Sequence, residues 1–199
     1  MSIIKPNNNT ISAITALPAA IATGSLVKLQ SQTASSASTL TFSSTYITST
    51  YKIYQLHCTD IVHSSDGGNL GFQVSADNGS NYVTSNYRNV RQYSNQTNGS
   101  NSILSGAGDG DDRVRLVGSG EGIGANGNES GNSIVTLFNP QGAKSKFFLC
   151  YGIQHNQSNQ CSQQNFWFSL DQSATYNNIK ILPNTGTFNG TFTLYGVTT

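Results

Sequence analysis

The sequence predicts an all-β protein: a two-sheet antiparallel β-sandwich, of jelly-roll type, with an extended N-terminal arm. Three observations predict it. About ten short segments alternate apolar and polar residues between turns rich in Gly, Asn, Ser and Pro, and no segment keeps a helical period. Ser, Thr and Asn make about a third of the 199 residues while charged residues make 10%, a composition that suits pleated strands and polar turns. The length fits one domain, residues 26–199, behind an arm of residues 1–25. Spacing alone leaves an immunoglobulin-like sandwich open as well.

The arm carries no strand alternation. Its Ile3, Ile4, Ile11, Ile14, Leu17 and Ile21 are scattered among Asn, Thr, Ser and Ala, too sparsely for a core of their own. A neighbouring subunit is therefore the expected place for these side chains, which makes them candidate anchoring residues. Ala20-Ile21-Ala22 imitates a cleavage signal, but Asn7 to Asn9 stand where an apolar run should begin, so a secretory leader is not expected.

Strands follow at residues 25–30 and 39–42, then at 51–62 with Tyr54, Leu56 and Cys58 on one face. Ser64 to Gly68 closes a hairpin onto Leu70, Phe72 and Val74, which face inward while Gly71, Gln73 and Ser75 face out. Asp77-Asn78-Gly79 is a turn. Val114 and Leu116 alternate with Arg113 and Arg115, and residues 134–138 run to a turn at Asn139-Pro140. Phe147, Leu149, Tyr151 and Ile153 read as the most strongly buried strand. Phe166, Phe168 and Leu170 oppose Trp167, and Ile179 with Ile181 leads to the turn Pro183 to Gly186. Phe192 and Leu194 oppose Tyr195 in a terminal strand. Residues 94–112 and 118–133, rich in Gly, Asn and Ser, read as long irregular loops.

Several functions are disfavoured at once. A formal charge of +1 supplies no basic footprint, so nucleic acid is not an expected partner. No run reaches the ~20 apolar residues of a membrane span, and no membrane insertion is expected. Cys58, Cys150 and Cys161 are an odd count; a Cys150–Cys161 bridge is an option, and three reduced thiols are the preferred reading. His57, His63 and His155 lack the spacing of a zinc site, and no Gly-x-Ser-x-Gly motif supports a hydrolase. No cofactor and no catalytic residue is expected.

Two candidate sites remain. Asp109, Asp111 and Asp112 form the densest carboxylate group, a weak candidate for a metal, since the spacing and terminal Glu of a calcium loop are missing. Tyr82, Tyr87, Arg88, Arg91 and Tyr93 interleave aromatic rings with guanidinium groups, a pattern that can stack on sugar rings and bond their hydroxyls. Strand-pair packing of the same rings is the competing reading. The polar stretch from Gln154 to Gln164 is a further recognition candidate.

The order of several motifs carries a resemblance. Residues 34–42 (ASSASTLTF), Tyr51-Lys52-Ile53-Tyr54, His63 to Gly67, Leu70 to Ser75, Leu137-Phe138-Asn139-Pro140, Lys146 to Leu149 and Gly190 to Gly196 span most of residues 34–197. In that order they resemble the small virion-associated β-sandwich proteins of bacteriophages, especially marine ones, of tail-fibre or capsid-surface type. The segment around Asp109 and Glu121 departs most from that pattern. The resemblance implies a non-enzymatic structural component exposed on a virion. Its implied partners are other virion proteins and further copies of itself, with a homotrimer expected. The alternative is an adhesin that binds a host surface glycan.

Overall fold

The computed structural model describes residues 26–97, 100–118 and 122–198. The proposed arm, with Ile3, Ile4, Ile11, Ile14, Leu17 and Ile21, lies outside the described residues. Twelve strands follow one another: β1 (Leu26–Ala37), β2 (Leu40–Phe42), β3 (Ile53–His63), β4 (Leu70–Ser75), β5 (Tyr87–Thr97) and β6 (Ser100–Asp111). They continue as β7 (Val114–Val117), β8 (Gly131–Phe138), β9 (Lys146–His155), β10 (Cys161–Leu170), β11 (Asn178–Pro183) and β12 (Phe188–Val197). All pairings are antiparallel. One sheet has eight strands in the order β1-β12-β3-β8-β9-β10-β5-β6, the other four in the order β2-β11-β4-β7. The two-sheet antiparallel sandwich is as predicted. Its unequal division is not visible in the strand spacing.

The core fills the space between the sheets. From the large sheet come Tyr54, Leu56, Val135, Leu137, Phe148, Cys150, Phe166, Phe168, Phe192 and Leu194; from the small one Phe42, Leu70, Phe72, Val74, Val114, Leu116, Ile179 and Ile181. Alternate residues supply them, as period-two side-chain geometry requires. Phe72 and Phe148 meet edge to face across the layers, centroids 5.6 Å apart and planes at 77°.

Three expectations need correction. Residues 94–112 are not an irregular loop: they complete β5 and form β6. Few apolar residues mark β6, because it is an edge strand of Gly, Ser and Asp that pairs through its backbone. Gln73 and Ser75 do not face solvent, since every residue of β4 is buried. Gln73 donates its amide to the Asp112 carbonyl at 3.0 Å, so the outer side of this central strand is covered by polar contacts. In β9 the predicted faces are exchanged. Phe148 and Cys150 point inward while Phe147, Tyr151 and Ile153 are about half exposed. Register decides this, because Phe148 pairs with Phe168 and Cys150 with Phe166, both inward residues of β10.

The turn after β4 shows how polar side chains stabilise the connections. Asn78 and Gly79 take φ of 60° and 89°, the left-handed region where Gly carries no Cβ penalty. Asp77 accepts from the Ser75 hydroxyl at 2.7 Å, from the Asn81 backbone N–H at 2.8 Å and from the Asn81 side-chain amide at 2.7 Å. These donors, Ser75 foremost, hold its carboxyl down to about 2. A depressed carboxyl pKa stabilises the fold above the unfolded value, and that contribution disappears as pH falls towards 2.

Two outcomes test this description. Phe148→Ala should lower unfolding free energy in urea by about 3–5 kcal/mol through the cavity left opposite Phe72. Thermal melts of Asp77→Asn should lose part of the wild-type sensitivity to acid between the unfolded carboxyl pKa and pH 2, with the two proteins converging at the acid end.

Candidate functional site

The aromatic and guanidinium residues of the predicted glycan patch do not share a surface. Tyr82 lies in the β4–β5 connection, where its hydroxyl donates to Asn178 Oδ1 at 2.8 Å and Lys180 Nζ sits 4.1 Å from its ring centre. Tyr87 is fully buried; its oxygen accepts from the Val74 N–H at 3.1 Å and donates to the Val83 carbonyl at 3.3 Å. Burial pushes its phenol well up. Along β5, Arg91 and Tyr93 are half-buried on the same side as Tyr87, while Arg88 is exposed on the other. A five-residue saccharide platform at 82–93 is therefore overturned: strand alternation divides it and packing consumes its central ring.

The three aspartates are likewise separated. Asp109 accepts from Arg88 Nε at 3.0 Å, Asp111 from Asn89 Nδ2 at 2.5 Å, and Asp112 from Arg113 Nε at 3.0 Å. The Arg113 hydrogen bond holds the Asp112 carboxyl below the usual range, against its partial burial. No group of three His, Cys, Asp or Glu that could hold a metal ion occurs among the described residues. The weak metal candidate fails because each carboxylate faces a different partner. The stretch Gln154 to Gln164 is not a loop either. It is the end of β9, a tight turn and the start of β10, with Asn156 Oδ1 accepting from the Ser158 and Gln160 N–H groups at 3.0 and 2.9 Å.

What the fold does assemble is the outer face of the large sheet. Direct register partners lie on one face. The line Leu26, Val197, Ile53, Phe138, Phe147 crosses five adjacent strands, each residue paired with the next. Leu149, Trp167 and Val90 form a second line across β9, β10 and β5. Ile134 and Tyr151 are partners in a third, and Ile153 follows on β9. The exposed large apolar side chains of the described residues are Leu26, Val90, Ile134, Phe138, Phe147, Tyr151, Ile153 and Trp167, and all eight are on this face. No Asp, Glu, Lys or Arg points outward from β8, β9 or β10.

A shallow hollow of about 620 Å3 lies beside the apolar lines, lined by Gln55, His57, Ile134, Tyr151, Ile153 and Asn165 among others. It flanks the irregularity of β3 between Cys58 and Ile61, where Asp60 takes a φ of 54° and pairing with β8 is interrupted. His57 contacts Gln55 Oε1 at 3.1 Å and the Tyr195 ring at 4.8 Å between centroids, and partial burial lowers its pKa, which favours the neutral ring. The surface is apolar with a neutral amide border.

Sequence reasoning missed this face although its signal is present. Phe147 to Ile153 is apolar at nearly every position, so whichever set faces the core, the other must face outward. No family model, curated protein or solved structure matches the chain.

The cysteines fit the preferred reading: all three are free. Cys150 is buried inside the sandwich and Cys161 is exposed, so a bridge between them is excluded by geometry. Burial pushes the Cys58 thiol up to about 12 and raises Cys150 well above its ordinary value. Native protein should accordingly react with a maleimide at one site, Cys161, and at all three only after denaturation. Rapid labelling of Cys58 or Cys150 would contradict the described packing.

Proposed function

We propose that the chain is a non-enzymatic structural component of a bacteriophage virion, of tail-fibre or capsid-surface type, which works by packing through the outer face of its eight-stranded sheet. One observation carries the packing role: every exposed large apolar side chain among the described residues is on that face, on central strands as well as at the edge. An antiparallel sheet with a solvated side normally alternates apolar and polar residues. Here β9 presents Phe147, Leu149, Tyr151 and Ile153 outward while Phe148 and Cys150 face the core. A contiguous patch of this kind marks a docking surface. The virion setting rests on the motif order described above and on a composition that keeps surfaces wet with Ser, Thr and Asn in place of charges.

The ionic groups are consistent with a structural role. Asp109, Asp111 and Asp112 are held by arginine or amide partners, Asp77 closes a turn, and Lys146 Nζ donates to the carbonyls of Gly142 and Lys144. A host-glycan role is not carried by residues 82–93, which the fold disperses.

Particles of the phage that encodes the chain provide the test. The chain should be detected in purified virions, and a Phe147→Asp, Trp167→Asp double variant, folded by circular dichroism, should be lost from them. Absence of the wild-type chain from virions contradicts the virion setting. Incorporation of the variant at wild-type level contradicts packing through this face.

A further inference from the structure

We propose that a second copy of this chain covers the outer face, large sheet against large sheet, about a two-fold axis. This rests on the packing reading above and names the partner. The distribution of apolar surface favours a two-fold pair. A patch that meets itself does so around a two-fold axis, whereas a closed ring of three requires it to meet a different surface of the next copy. Among the described residues there is no exposed large apolar side chain elsewhere to build that different surface. The proposed assembly is thus a two-fold pair, where a trimer is the expectation from sequence.

The area of the face also suits a pair. Val90, Ile134, Phe138, Phe147, Tyr151, Ile153 and Trp167 are each between 39% and 57% exposed. The four aromatic rings alone offer roughly 300–450 Å2, at roughly 150–250 Å2 per ring, and the half-exposed Val90, Ile134 and Ile153 enlarge the patch. With the bordering Gln, Asn and Thr side chains added, the face approaches the ~800 Å2 per partner of a standard stable interface.

Charge permits the contact. Two identical charged surfaces repel when placed face to face, and β8, β9 and β10 present no formal charge outward. Arg88, at the border, is already paired with Asp109 at 3.0 Å and Asp171 at 3.8 Å. Shape agrees. The half-exposed Phe147 and Trp167 share the outer face with a hollow lined in part by Ile134, Tyr151 and Ile153, so one face carries both projecting rings and a recess. Packed sheets interdigitate side chains in this way at a separation of about 10 Å.

Sedimentation equilibrium of the full chain over a dilution series tests the inference. The expected result is a particle of twice the 21.2 kDa chain mass that dissociates on dilution. Phe147→Asp and Trp167→Asp, each placing like charges against like, should raise the dissociation constant by about 30-fold or more, the scale of a hot-spot loss. Circular dichroism should show both variants folded. A wild-type chain that is monomeric at every concentration overturns the inference. So does a dimer indifferent to both substitutions, whose contact would lie elsewhere. Neither result depends on virions. Face-dependent incorporation into particles by a monomeric chain would leave the packing reading standing with a different protein as partner, and loss of incorporation alone would leave the two-fold pair standing.

Discussion

Alternation of side chains across a pleated strand is the constraint on which this structure turns. A strand has two faces, and the partner sheet of a sandwich covers only one of them. Where a strand of the large sheet is apolar at successive positions, half of its apolar groups face away from the core. Strand β9 is in that situation, and β8 and β10 extend it with Ile134, Phe138 and Trp167. These strands are also central in the sheet, so their position is held from both sides by neighbours. The outward apolar residues sit on a rigid platform, and burying them costs little further ordering of backbone.

The interior changes character along the large sheet, and this explains how so uncharged a sequence folds. Around Phe148, Phe166 and Phe168 the inner face is aromatic and packs on the small sheet. Towards the other end of β9 and β10 it becomes Gln154, Ser162 and Gln164, all buried. The segment after β7 covers this polar end, with the Gly118 N–H donating to Gln154 Oε1 at 2.8 Å. Buried amides require such partners, since an unpaired polar group costs about 1–3 kcal/mol. Short neutral side chains are buried at less desolvation cost than ions would be, and Ser162 Oγ is buried here without a hydrogen-bond partner. The outer face and the polar interior are thus two consequences of one compositional choice: neutral groups in place of charges.

Much of the fold can be read from residue pattern alone, and the failures have physical causes. Phe166, Phe168 and Leu170 face inward with Trp167 outward, and Phe192 and Leu194 inward with Tyr195 on the other side, as period two requires. Strand β6 escaped because an edge strand held by backbone pairing needs no apolar residue to declare it. The faces of β9 were exchanged because its outward set, Phe147, Leu149, Tyr151 and Ile153, is bulkier than its inward set, and sequence weighs size where the fold obeys register. The residues of 82–93 looked like one cluster because they are near in sequence. Alternation along β5 and the hydrogen bonds of Tyr87 inside the sandwich send them to different places. Local pattern identifies strands; long-range register assigns their faces.

Trp167 is the only tryptophan of the chain and stands on the outer face, 40% exposed in the isolated subunit. Its fluorescence therefore reports on whether that face is covered. A face covered by a second copy gives a blue-shifted emission that resists acrylamide at high protein concentration and becomes red-shifted and readily quenched on dilution. Emission that is solvent-exposed and equally quenchable at every concentration would contradict such cover.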